Sequence, residues 1–353
     1  MRVLFVTTGK HVPELHGGME VNTHQLALQL LLRGVPVGVL CGLAGTGLVG
    51  LRARVRRRIL ADSCPVDHGL GYPTWRSYEP IDHVARVAAS FRPDRVVLQG
   101  AADFMPLLAA CLALDVPILC YLHSSDLLPL PPDILALERL RFLANSRFTQ
   151  SLHPGKHFLG VLPPIIPPEQ YRTATDRSHA VLVNPAPYKG LDIALALARA
   201  RSDVPFLLVR TRKPIAIDQS RASLWNGMPN ISVTGPLGDM RHVYRRARLV
   251  LAPSRVSETW GRVASEAHVS GIPVLASDRG GLPESVGPGG TCLSPDAPIA
   301  DWLAAFSAIW DEPQHYGELS QAALDYSRRA EMDRDHIVEA FLAALRSEPI
   351  ARE

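Results

Sequence analysis

The chain has 353 residues, 47% of them apolar, with 37 basic against 34 acidic side chains and a formal net charge of +3. That length holds two domains with separate cores, and so mild a positive balance gives no argument for nucleic acid as a partner. The five scattered cysteines, Cys41, Cys64, Cys111, Cys120 and Cys292, form no C-x-x-C pair; they fit neither zinc nor disulfide spacing and predict reduced thiols in a cytoplasmic protein.

Val3–Val6 predicts a first buried strand. The apolar run in MRVLFVTTGK is too short for a signal peptide. A glycine-containing loop, Gly9–Gly18, leads into a helix over Glu20–Arg33, with Leu26 and Leu30 at helical spacing and Gly34 as its stop. Val35–Leu40 reads as the next strand. The segment Gly45–Gly50 fits G-x-G-x-x-G but follows the second strand, and no clear strand ends in an acid beyond it, so a dinucleotide role is set aside. Arg52–Arg58 (RARVRRR) is a basic run, read as a solvated helix or loop face, with an anionic acceptor or an anionic membrane surface as alternatives. Val96–Leu98 and Ile118–Tyr121 read as strands. Leu107–Leu122 is the most apolar stretch, but Asp115 and Pro117 interrupt it. It predicts a core helix, a turn and a strand, not a membrane span. Ala136–Phe142 predicts a helix, followed by a short strand over Phe142–Ala144.

Two proline clusters, Pro129–Pro132 and Pro163–Pro168, break the alternation. The second is the better linker, because a new strand–helix series starts beyond it. The expected division is 1–165, 166–330, and a last helix over 331–353 that packs back on the first domain. The second half predicts strands at Ala180–Val183, Pro205–Arg210, Ile231–Thr234 and Leu249–Ala252, helices at Leu191–Ala200 and Met240–Arg246, and helix from Ile299 onward. Buried strands alternating with helices imply an α/β fold with helices on both faces of parallel sheets.

The stretch Pro253–Glu284, PSRVSETWGRVASEAHVSGIPVLASDRGGLPE, carries the most chemistry. It sets Glu258 and Glu266 on either side of an expected helix start, capped by Ser257 or Thr259. Val263, Ala264 and Ala267 share an apolar face, which Trp260 joins. Gly271 ends the helix. Ile272–Ala276 follows as a buried strand, and Gly280-Gly281 as a turn. The first amides of such a helix have no partners inside it, so phosphate oxygens suit them. One carboxylate can then accept from sugar hydroxyls and the other from a ribose.

The pattern Glu258-x7-Glu266, with GIPVLAS and GGLPE after it, resembles the signature of the retaining GT-B glycosyltransferases of family 4. The resemblance implies two Rossmann-like doubly wound domains facing a cleft. It implies Glu258 on the donor sugar, Glu266 on ribose hydroxyls, and the Trp260, Gly261, Arg262 and Val263 loop on the diphosphate and sugar. It further implies Lys189, of YKG, on the diphosphate; His123, at the end of CYLH, on the donor sugar; and Gly17-Gly18 near the donor diphosphate and the acceptor. Glu20 and Asp126 are weaker acceptor-side candidates. The chain departs from the pattern at Asn184, where many relatives carry an arginine; Arg210, Arg212 or Lys213 could supply the missing charge.

The function expected is retaining transfer of a sugar from a nucleoside-diphosphate donor to an acceptor, with no cofactor and no essential metal. The only D-x-D, Asp333–Asp335, falls in the tail and is set aside as a metal site. A nucleotide-sugar epimerase of the same fold and a non-catalytic nucleotide-sugar binder are the alternatives. Expected partners are the donor, an acceptor that is a small molecule or glycan, and a second copy in a homodimer. The absence of a hydrophobic or strongly basic N-terminal helix favours a small soluble acceptor.

Overall fold

The computed structural model describes residues 1–60, 62–100, 103–124, 130–153, 157–210 and 224–347. The chain divides into two compact units. The first is Met1–Ile165 with Asp335–Glu353, and the second is Ile166–Arg334. The division falls inside the second proline cluster.

The first unit is built on β1 (Val3–Lys10), β2 (Val37–Gly42), β3 (Val66–Asp67), β4 (Thr74–Ser77), β5 (Arg95–Leu98), β6 (Ile118–Leu122), β7 (Leu140–Ala144) and β8 (Phe158–Val161). They form one sheet in the order β3-β4-β2-β1-β5-β6-β7-β8, parallel throughout except for the β3–β4 pair. Successive side chains of a strand point to opposite faces. Val3 and Phe5 therefore enter one apolar cluster, and Leu4 and Val6 the other. Both faces are buried, as expected for parallel strands made of near-continuous apolar runs. The terminal helix Arg334–Arg346 completes this unit. Its Phe341 stacks on Phe5 at 6.0 Å between ring centres, and Arg33 pairs with Asp335 and Glu339.

The second unit holds β9 (His179–Val183), β10 (Phe206–Val209), β11 (Ile231–Thr234), β12 (Ala247–Ala252), β13 (Val274–Ser277) and β14 (Gly290–Leu293). Their order is β11-β10-β9-β12-β13-β14, all parallel. Phe206 and Leu208 face one cluster while Leu207 and Val209 face the other.

Two expectations need correction. Ala136–Phe142 is not a helix. A single turn, Pro132–Leu135, starts at the prolines, and β7 already begins at Leu140, because Leu140 and Phe142 alternate into the core beside Ile118 and Cys120 of β6. The C-terminal helical stretch is three helices, Ile299–Asp311, Pro313–Ser327 and Arg334–Arg346, because Pro313 can only open a new helix and a 3-10 turn intervenes at Ala330–Met332. The basic run read as a helix or loop face is a helix: Gly47–Leu60 is continuous, with five arginines and no acid.

Candidate functional site

Parallel strands bring their carboxyl ends to one edge, where ligands of α/β sheets bind. In the second unit that edge carries the turn after β9, the loop after β12 and the turn after β13. The chain uses glycines to bring them together. Gly190 has φ +74°, and a Cβ there would overlap the Pro253 carbonyl oxygen. A Cβ at Gly280 would likewise overlap the Glu258 backbone, and Gly281 donates its N–H to the Glu258 carbonyl at 2.6 Å. The Gly280-Gly281 pair thus serves a backbone-on-backbone contact that fixes the Glu258 loop. The Arg255 N–H bonds the Tyr188 carbonyl at 2.9 Å, and the Arg255 side chain pairs with Asp192 and Asp296.

This clamp brings Lys189 and Glu258 together. Lys189 Nζ lies 2.8 Å from Glu258 Oε2 in a partly exposed ion pair, and Ser254 Oγ donates to Glu258 Oε1. Four residues before Lys189's neighbour Tyr188, Asn184 ends β9 at φ +61°, and its Nδ2 donates to Tyr188 Oη at 3.1 Å. Asn tolerates the left-handed region better than most side chains. That gives Asn184 a backbone reason for its place. Arg210 follows β10; Arg212, Lys213 and Asp126 lie outside the described residues.

The helix after Glu258 starts later than its sequence predicts. It runs Arg262–His268, and its N-cap is Gly261 at φ +90°, so neither Ser257 nor Thr259 stands at the cap position. Trp260 causes the delay: its ring is buried in the core and its Nε1 donates to Ser265 Oγ at 3.1 Å. The Trp260 side chain is therefore a packing group, and only its backbone can face a ligand. The first bond of the turn is Ala264 N–H to Gly261 O, so the amides of Arg262 and Val263 precede the helical ladder.

Glu266 is buried on this helix. Its Oε2 accepts from Tyr244 Oη at 2.8 Å and its Oε1 from Arg262 Nε at 3.3 Å. Arg262 Nη2 also donates to Tyr171 Oη at 3.3 Å. Burial, reinforced by the Glu266 charge, pushes the Tyr171 phenol up to about 12, and it raises Tyr244 well above the ordinary tyrosine value. Both phenols therefore stay protonated at neutral pH, which Tyr244 needs in order to donate to Glu266. A carboxylate offers about four lone-pair sites, and those of Glu266 are shared among Tyr244, Arg262 and the neighbouring Tyr171 phenol. Sequence reasoning missed Tyr171, Tyr244 and Ser254. Ser254, four residues before Glu258, was within local reach. The two tyrosines come from separate elements and carry no local signal.

In the first unit, His123 follows β6. Its ring lies 4.1 Å from the Tyr121 ring, and Gln99 Nε2 is 3.3 Å from His123 Nε2. Thr23 Oγ1 lies 2.7 Å from Gln99 Oε1 and 2.9 Å from the Met19 carbonyl oxygen, so Gln99 links His123 to the helix that starts at Gly18. Gly17 is the N-cap of the helix Gly18–Leu32. What approaches Gly17 closely is the Glu20 carboxylate, which a Cβ would strike. Burial raises the Glu20 carboxyl, opposed by hydrogen bonds from the Glu20 and Gly17 amides. Glu20 is thus turned back onto its own helix start.

Residues 16–155 match the family described as glycosyltransferase family 4, and residues 179–312 that described as glycosyl transferases group 1. The chain belongs to the family 4 glycosyltransferases. A D-inositol 3-phosphate glycosyltransferase of Segniliparus rotundus is 30% identical to this family 4 chain over 179 residues, 47% of this chain and 39% of that protein. The chain spans about a quarter to two fifths of the length of such curated relatives. In fold, it is similar to sucrose-phosphate synthase from Thermosynechococcus elongatus, with a TM-score of 0.78, 16% identity and 98% of each chain covered. It is also similar to Anabaena Alr3699/HepE in complex with UDP-glucose, with a TM-score of 0.73, 18% identity, and 98% of this chain and 100% of that one covered. These solved neighbours are two-domain GT-B glycosyltransferases with parallel α/β sheets.

Proposed function

We propose that this chain moves a sugar from a nucleoside-diphosphate donor to an acceptor hydroxyl in the cytoplasm, with retained anomeric configuration and no essential metal. The carrying observation is the Lys189–Glu258 ion pair, 2.8 Å long, at the carboxyl edge of the second sheet. Each partner stands in for part of the donor. The lysine holds the place where it would meet the diphosphate, and the glutamate waits for hexose hydroxyls. On binding, the diphosphate takes over the lysine in a charge-assisted bond, and Glu258 turns to the sugar. Glu266, held by Tyr244 and Arg262, takes the ribose hydroxyls. The Gly261–Val263 backbone adds amide donors to the diphosphate. For His123, Gly17 and Gly18 the roles rest on the family resemblance.

In the reaction, the bond from the anomeric carbon to the β-phosphate oxygen breaks. The acceptor oxygen bonds to the same face of that carbon, and its proton leaves on the departing diphosphate. Positioning and stabilisation of diphosphate charge supply the rate. The relatives named for D-inositol 3-phosphate support a hydroxyl-rich acceptor, a small molecule or a glycan, and the buried free thiols are consistent with a reducing compartment.

The test is a thermal-shift panel of nucleoside diphosphates and nucleotide sugars. A true donor raises the melting temperature by mass action and is slowly hydrolysed by the wild type but not by Glu258→Ala. A panel that shifts nothing ends the proposal. A shift without any turnover favours the non-catalytic binder.

A further inference from the structure

The helix Gly47–Leu60, GLVGLRARVRRRIL, has an unusual surface. Its buried positions include Gly50 and Ala53. On the far side Leu48 is 75% exposed, Leu51 50%, Val55 48% and Ile59 74%. At about 100° per residue these four share an arc of about 80°, roughly opposite Gly50 and Ala53. A helix packed on a water-soluble protein turns its polar face outward. This one turns an apolar stripe outward, at i, i+3, i+7 and i+11.

The flanks are cationic. Arg52 and Arg56 lie on one side of the stripe, Arg54 and Arg58 on the other, all exposed, and the helix contains no acidic residue. Arg57 stacks over Tyr78 at 5.4 Å, and Arg56 bonds the Val66 carbonyl, so the arginine collar is anchored to the unit beneath. The helix starts beyond the carboxyl end of β2, and the Ala44 N–H before it is bonded to Glu14 Oε2 at 3.3 Å, in the same loop that carries Gly17. It therefore sits at the functional edge of its sheet.

We infer that this helix is a docking surface for an anionic phospholipid bilayer, with the apolar stripe dipping into the acyl boundary and the arginines on the headgroups. A short apolar face rimmed by arginine matches an interface-lying helix, and the charge complementarity selects anionic lipid. An anionic soluble partner would satisfy the arginines but leave Leu48, Leu51, Val55 and Ile59 in water. No described helix is long and apolar enough to cross a membrane, so the attachment is peripheral.

The experiment is co-sedimentation of the full chain with vesicles of phosphatidylcholine alone or mixed with phosphatidylglycerol. The wild type is expected to sediment with the mixed vesicles and to stay largely in solution with phosphatidylcholine. Leu51→Ser/Ile59→Ser, which keeps every charge, is expected to weaken vesicle binding about tenfold. Arg54→Ser/Arg58→Ser is expected to weaken it comparably and to flatten its salt dependence. All four side chains are exposed, so both variants should melt like the wild type and keep the same nucleoside-diphosphate thermal shift. That readout separates this inference from the donor-site proposal. Absence of binding to the mixed vesicles overturns it. So does binding that Leu51→Ser/Ile59→Ser leaves intact, the behaviour of a general polyanion binder. A wild-type dimer that the same variant turns into a monomer, without vesicle binding, also overturns it and assigns the stripe to a second copy of this chain.

Discussion

Glu258 and Glu266 lie eight positions apart, yet the fold treats them differently. Glu258 sits in a loop and is held by one partly exposed lysine and one buried serine. Glu266 sits on a helix and is locked among Arg262, Tyr171 and Tyr244 in the core. A flexible ion pair suits a carboxylate that must exchange its partner during a reaction. A buried network suits one that presents a fixed acceptor geometry, because fully satisfied polar networks are rigid. Under the proposed function, the contrast fits chemistry at the first and recognition at the second.

The strongest test of that contrast removes the clamp beneath Glu258. Gly190→Ala forces a side chain into a left-handed turn and into the Pro253 carbonyl. It is expected to cost about 3–5 kcal/mol of stability in denaturant unfolding, and to abolish donor-dependent thermal shift. Glu258→Ala should leave the fold intact and lower turnover about 10²–10³-fold, with a smaller change in affinity for the bare nucleoside diphosphate. An equal loss in both would put Glu258 in recognition after all.

The Glu266 side has an alkaline signature. The Tyr171 phenol rises from 10.0 to about 12 in the folded state. A raised folded value means that the native state holds the proton more tightly. The associated stability is complete below pH 10 and is lost as pH climbs toward 12. Tyr171 alone is expected to contribute about 2–3 kcal/mol to that loss, and Tyr171→Phe should flatten the melting-temperature profile there. A profile unchanged by the substitution would remove Tyr171 from the network. The smallest effect is expected from Tyr244→Phe. One lost hydrogen bond to the buried carboxylate costs about 1–2 kcal/mol, and nucleoside-diphosphate affinity, measured by titration calorimetry, should fall a few-fold with turnover of bound donor unchanged.

Much of this is written in local pattern. Val3–Val6, Ala180–Val183 and Ile231–Thr234 are strands because β-branched and apolar residues run together between turn residues. The two glutamates, the YKG turn and the glycines of GGLPE announce a loop-and-helix site for the same local reason. The short β3, β4 and β14 carry no such run; each pairs with a neighbouring strand. The late start of the helix after Glu258 was hidden as well, since it depends on where the Trp260 ring finds room.

Alternation of apolar segments sufficed for two parallel α/β halves, because it follows from residues close together in the chain; Glu258 and Glu266 are local neighbours too, whereas Lys189 entered through the family resemblance. Only the tertiary structure paired Lys189 with Glu258, placed Tyr171 and Tyr244 around Glu266, and turned the apolar stripe of the arginine helix away from its core. Those contacts join residues far apart in sequence, and which face of a helix is covered depends on the surface it lands on.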